Sequence, residues 1–351
     1  MDKTKERMSG FELLRIIAMI LVLIVHVLIC LPRPTTTTII EEPFKAIGFY
    51  ITNSISIVCV NIFVLISGWF GIEFKMRKFA ILLFQVFFFA LFVWGTLAFI
   101  FPENYINWHS ASTILMLNSH DYWFIKSYLG LLLMSPIINI FIRKTSSIQY
   151  RNALISFYIF QTIYGWLSID GAVWISGGYS AFSFICLYLL GRYIRLYESK
   201  IYIYKHYTIE VLSVSFLVYS FIVIVLILTL IAFSVTYIGL PVEGRLFTYT
   251  NPLVILESVV LILIFRRISL KSSIINWIAS SCLAIYLLHG NELILRPYYG
   301  RWIAQWYHNN STIGFLLNTS LFLVLVSIVA ILLDQVRLAL SRMIFSRAKN
   351  V

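Results

Sequence analysis

Charge is scarce in this chain. Only 12% of its 351 residues are Asp, Glu, Lys or Arg, whereas 60% are hydrophobic. A soluble domain is about 25% charged and about 45–50% apolar. Interior volume grows too slowly with length for a soluble fold to hide this excess of apolar surface, so the solvent is expected to be a bilayer. Cysteine is scarce too. Cys30, Cys59, Cys186 and Cys282 all sit in or beside apolar runs, and no CxxC occurs. That argues against a disulfide framework or a zinc site and for small apolar fillers; no metal is expected. HExxH, GxxxxGK[ST], GxGxxG and GxSxG are all missing, which leaves metalloprotease, P-loop and serine-hydrolase chemistry without motif support. Internal repeats are lacking, and Thr35–Thr38 is the sole low-complexity tract.

Aromatic residues are plentiful, at 17%, and Trp and Tyr collect at membrane interfaces. A spanning helix needs about 20 mostly apolar residues. Ten runs qualify, at 12–31, 48–70, 79–101, 123–142, 152–169, 179–197, 207–235, 252–268, 275–294 and 312–336. The run at 207–235 is overlong and is expected to tilt or leave the membrane early. The first run begins like a signal peptide but has no small-residue cleavage site before Pro32, so it is taken as an uncleaved span.

The net charge of +12 does not indicate nucleic acid, because the basic residues are spread between apolar runs. Their distribution encodes topology instead. Ten spans put Lys3, Lys5, Arg7 and Arg15 on the inner side with Lys75, Arg77, Lys78, Arg143, Lys144 and Arg151. Arg192, Arg195, Lys200, Lys205, Arg266, Arg267, Lys271, Arg337, Arg342, Arg347 and Lys349 join them. Arg33, Lys45, Lys126, Arg245, Arg296 and Arg301 fall outside. This bias places both termini in the cytoplasm. The expected fold is an all-α integral membrane bundle, one domain over residues 1–351. The longest outer connection, at 102–122, is too short for a soluble domain.

Ionisable groups within a bilayer cost about 2.5–3.5 kcal/mol each on insertion scales, which makes them the first candidates for function. Arg15 and His26 lie eleven residues apart. At about 100° per residue they return to within roughly 20° of one direction, about 16 Å apart along the helix. Glu12, three residues before Arg15, can pair with it across one turn. A deep imidazole can take a proton from an attacking hydroxyl or could instead carry an acyl group itself. An arginine at the inner mouth can hold a phosphate or thioester oxygen. Packing of His26 and snorkelling of Arg15 are the bland alternatives.

Further along, Ser67–Gly68 closes the second span and allows close helix approach or backbone opening around a ligand, with simple packing favoured. The loop Asn118-Ser119-His120-Asp121-Tyr122-Trp123-Phe124 offers rings and polar groups suited to a sugar, or else an interface belt. His289 and Glu292, three apart, are expected to share a helical face near the outer surface. For Glu257 and Asp334 the favoured role is interhelical hydrogen bonding, although Glu257 could orient a histidine or line a pore.

Taken in order, five segments resemble the acyltransferase family 3 membrane proteins, bacterial O-acyltransferases of surface glycans. They are GFELLRIIAMILVLIVHV, VNIFVLISGWF, YWFIKSYLGLLLMSPIIN, YLLGRYIR and SCLAIYLLHGNE. The resemblance implies about ten helices with both ends inside, and Arg15 and His26 as essential residues. It implies an acyl-CoA donor, usually acetyl-CoA, taken from the cytoplasm, and a glycan or lipid-linked oligosaccharide acceptor at the outer face of the bacterial cytoplasmic membrane. Glu12, Ser67, Arg77 and Arg192 are the expected donor-side residues. Tyr122, Trp123, His289 and Glu292 are the expected acceptor-side residues. The stretch Lys75-Met76-Arg77-Lys78 departs from the family's arginine-and-proline pattern. The C-terminal hydrolase-like domain of some members is not expected here. A polytopic transporter or glycan flippase is the main rival, and a membrane glycan polymerase or glycosyltransferase the second.

Overall fold

A computed structural model describes residues 8–118, 120–168, 174–204 and 207–346. Lys3, Lys5, Arg7, Ser119, Lys205, Arg347 and Lys349, named above, lie outside them. Along the chain run α1 Ser9–Leu28, α2 Thr36–Glu41, α3 Pro43–Ser56, α4 Cys59–Phe70, α5 Met76–Ile100, α6 Pro102–Tyr105 and α7 Trp108–Ser112. Next come α8 Trp123–Lys144, α9 Ser147–Phe160, α10 Ala181–Tyr197, β1 Tyr202–Tyr204, β2 Tyr207–Thr208 and α11 Val214–Ile238. The rest are α12 Glu243–Leu246, α13 Pro252–Phe265, α14 Ser273–Ser280, α15 Cys282–His289, α16 Glu292–Ile294, α17 Arg301–Asn309 and α18 Thr312–Ser346. The fold is all-α apart from the short antiparallel ribbon β1–β2.

Six helices among the described residues are long and apolar enough to cross a membrane: α1, α3 with α4, α5, α8, α11 and α18. The other four expected spans are helical but fall short by length or are broken. The run at 152–169 is α9 continued by a π-helical turn over Gln161–Leu167. The run at 179–197 is α10, of 17 residues. That at 252–268 is α13, of 14 residues. The run at 275–294 is interrupted twice: Ser273–His289 and Glu292–Asn309 meet at a 54° bend. The overlong run at 207–235 begins as ribbon, and α11 starts only after the Ser213 N-cap, whose side chain accepts from the Phe216 amide.

Two compact units make up the chain. The first contains α1–α4, α8 from Lys126, α9, α10, the ribbon, α11–α13 and the start of α14. Its helices approach closely where glycine leaves room. A Cβ on Gly68 would overlap the Tyr188 carbonyl oxygen, and one on Gly191 would stand 2.5 Å from the Leu65 oxygen. Small residues at such crossings let backbones touch. Gly10 does the same for α1, since a Cβ there would meet the carbonyls of Phe265 and Ile268 at 2.7 and 2.8 Å.

The second unit contains α5–α7 and α15–α18. Its interior is tied by Asp334, which is fully buried. Gln85 donates to one carboxylate oxygen at 3.2 Å and Ser281 to the other at 2.8 Å, and Arg337 donates twice to the first. This is the interhelical bonding expected of Asp334, and it satisfies a group too costly to bury alone.

Candidate active site

In the first unit, α1 presents two unlike sides. Glu12, Met19, Val22 and Leu23, on the side of Arg15 and His26, are buried, whereas Ile20 on the opposite side is 48% exposed. Arg15 and His26 are half-buried. The column read from an eleven-residue spacing therefore lies along the inward stripe of the helix. The expected Glu12–Arg15 pair forms, at 2.7 Å. Arg15 also sits 5.9 Å from the ring centroid of Phe70, a cation–π distance.

The end of α4 collects further cations. Phe11 of α1 wedges between Trp69 and Phe70, with ring centroids 5.4 and 5.1 Å away. Arg192 of α10 donates to the Trp69 carbonyl at 3.3 Å, where a helix C-terminus leaves acceptors unused. Arg195 and Arg266 lie over the Trp69 ring at 5.3 and 5.8 Å. Glu198 bridges them, pairing with Arg266 and, at 3.6 Å, with Arg195. The close approach of Gly68 and Gly191 fixes this arrangement by setting α10 directly on α4. Ser67, also expected at the donor side, donates to the Phe63 carbonyl at 3.0 Å and lies 3.4 Å from the Tyr128 hydroxyl.

Sequence reasoning took Arg195 and Arg266 only as topology charges and passed over Trp69 and Glu198. An arginine three residues beyond Arg192 was the available sign, since i and i+3 share a helix face. It also passed over Ser176-Gly177-Gly178, three successive residues with positive φ (46°, 61° and 99°). Gly178 lies against Tyr249, where a Cβ would meet the Tyr249 Cβ at 2.5 Å. The Gly-Gly pair was the readable sign, because glycine adopts this conformation at little cost.

Deeper in the unit, Glu257 is fully buried on α13, and neither carboxyl oxygen has a hydrogen-bond partner among the described residues. The interhelical bond expected of it is not made there. Asn61 of α4 donates to the Tyr249 carbonyl at 3.1 Å, while its own side-chain oxygen is likewise without a partner.

The second unit holds the remaining expected residues. Arg77 donates to the Phe345 carbonyl at 3.1 Å and so caps the end of α18. Tyr122, with φ of 42° and only 2% exposed, donates to the Leu287 carbonyl at 2.7 Å and accepts from the Asn291 side chain at 2.8 Å. Trp123 packs edge-on against Phe124. His289 donates from Nδ1 to the Ile285 carbonyl at 2.6 Å and is 1% exposed. Its helix ends there, Gly290 and Asn291 intervene, and Glu292 opens α16. The shared helical face expected of His289 and Glu292 is thus absent. Asn291, whose side chain caps the Leu293 amide at 3.0 Å, starts a new helix in place of the old one. Glu292 pairs instead with Arg296, at 3.3 Å.

The family model of the acyltransferase 3 group, described as an acyltransferase domain, matches residues 8–334. The chain belongs to the acyltransferase family 3. No curated protein and no solved structure matches it. The match begins just before α1 and ends on Asp334 within α18, so Arg15, His26 and most of both units lie inside it. Membership supports an O-acyltransferase-type enzyme, and with its apolar helices the chain is a multi-pass membrane protein.

Proposed function

We propose that this acyltransferase moves an acyl group, normally acetyl, from cytoplasmic acyl-CoA to a hydroxyl of a cell-surface or lipid-linked glycan in the bacterial cytoplasmic membrane. The observation that carries this is the family match over a chain whose Arg15 and His26 occupy the inward stripe of α1. The cations around Trp69 suit the phosphates of a CoA-type donor, because guanidinium forks bind phosphate oxygens in pairs. His26 is assigned the general-base role. It takes the hydroxyl proton as the sugar oxygen bonds to the thioester carbon, and the carbon–sulfur bond breaks to release the CoA thiolate, which regains a proton. Ten spans with both termini inside belong to the same proposal.

Purified chain incubated with radiolabelled acetyl-CoA and glycan acceptor tests it. His26→Ala is expected to lower transfer by 100-fold or more, within the usual range of roughly 10²–10⁴ for general-base catalysis. Full transfer by that variant would refute the assignment. One observation favours a second reading. The 54° bend between α15 and α16 makes a broken span or a re-entrant turn, and transporters place broken helices around a substrate. A transporter would translocate glycan without placing label on it.

A further inference from the structure

A groove of about 390 Å³ runs along α13 in the first unit and is almost wholly apolar. Pro252, Leu256, Val259 and Leu263 form one wall, and Tyr158 and Leu190 face them from α9 and α10. Neither Arg15 nor His26 lines it. The polar atoms nearest it are already used inside the protein: Thr162 donates to the Tyr158 carbonyl at 2.7 Å, and Tyr158 to the Cys186 carbonyl at 3.4 Å. Leu256 is 49% exposed, so the groove opens at the surface. In a chain of this composition that surface faces hydrocarbon.

The groove has direction. From Pro252 to Leu263 it follows eleven residues of helix, or about 16 Å at about 1.5 Å per residue. One leaflet of a hydrocarbon core roughly 30 Å thick has nearly that depth. Ile201 and Ile209 close the Leu263 end, joined by the Ile209 amide donating to the Ile201 carbonyl at 3.0 Å. Cations stand at that same end. Arg267 donates to the carbonyls of Leu263, Ile209 and Glu210 at 2.5, 2.9 and 3.0 Å. Lys200 is exposed beside Ile201, and Arg266 precedes Arg267. Glu210 and the doubly paired Glu198 are the opposing charges described there. A basic lip on an apolar slot between spanning helices is what an anionic lipid headgroup recognises.

We propose that this groove is a binding site for an anionic phospholipid of the inner leaflet, with one acyl chain along α13 and its phosphate at Lys200 and Arg267. None of the residues assigned to acyl transfer lines the groove, although Arg266 and Glu198 stand near its basic end, and its test does not depend on activity. The full chain is reconstituted in vesicles of equal parts phosphatidylglycerol and phosphatidylcholine, extracted, delipidated and analysed by native mass spectrometry. The wild type is expected to retain phosphatidylglycerol in several-fold excess over phosphatidylcholine. Val259→Trp and Leu256→Trp, which fill the slot, are expected to lose most of that lipid. Leu230→Trp, on an exposed face of α11, is expected to keep it, and equal melting temperatures establish that all three variants are folded. Lys200→Gln is expected to bring the two lipids toward equal retention. Wild-type retention in both slot-filling variants would overturn the proposal, as would equal retention of the two lipids by the wild type. Displacement of the retained lipid by palmitoyl-CoA would assign the slot to a donor's acyl chain and overturn it as well.

Discussion

At the scale of single residues, two buried acids that look alike in sequence have opposite surroundings. Asp334 is satisfied by Gln85, Ser281 and Arg337, whereas Glu257 has no hydrogen-bond partner among the described residues. A polar group buried without a hydrogen bond costs on the order of 1–3 kcal/mol in protein mutational data. Glu257→Met should therefore raise the melting temperature of the purified chain, and an unchanged or lower value would show that the carboxyl has a stabilising partner. Asp334→Ala should do the reverse, costing about 3–5 kcal/mol by stranding the Arg337 charge. Loss of solubility or a large fall in melting temperature would register it. Sequence spacing captured the Glu12–Arg15 pair and the common stripe of Arg15 and His26 because both lie within one helix. It could not separate Glu257 from Asp334, since their partners come from other helices.

At the scale of elements, glycine and tyrosine do work that hydropathy does not encode. Gly68 brings α4 onto the backbone of α10 and thereby sets Arg192 at the Trp69 carbonyl. Gly68→Ala should destabilise the chain by about 1–3 kcal/mol, the usual cost of overpacking. It should also weaken acyl-CoA binding, measured as a raised KM, because the cations around Trp69 would shift with α10. Tyr122 fastens the break after α15 from both sides. Tyr122→Phe would leave the Leu287 carbonyl and the Asn291 amide unpaired, at about 1–3 kcal/mol; an unaltered melting temperature would count against this clamp. The helices themselves were legible from apolar runs. The break at Gly290-Asn291 did have a sign, the non-apolar stretch His289-Gly290-Asn291-Glu292 with Asn291 as N-cap, but an apolar window wide enough to find a span averages over four such residues. The β1–β2 ribbon escaped notice because its strands, Tyr202–Tyr204 and Tyr207–Thr208, are too short to show an alternating pattern, and the second merges into the apolar run that leads to α11.

At the scale of the whole molecule, composition alone called for a bilayer, and the six long apolar helices agree. The four shorter or broken helices sit where the remaining apolar runs lie, but hydropathy does not report whether a helix ends early or bends. Charge does report sidedness. If all ten runs cross, Thr145→Cys, between α8 and α9, should be labelled by an impermeant thiol reagent only from the cytoplasmic side. Asn107→Cys should be labelled only from the outer side. Both are made in a chain with its four cysteines replaced, and the reverse pattern would undo the topology. The seat of α1 carries a last consequence. With Gly10 wedged against the carbonyls of Phe265 and Ile268 at the end of α13, the N-terminal foot of the helix that bears Arg15 and His26 is held more tightly than its far end. Any breathing of that helix must hinge at its foot and grow toward its far tip, so the imidazole would swing through a wider arc than the guanidinium. In the proposed reaction, the residue that anchors the donor would then hold still while the ring that takes the proton moves.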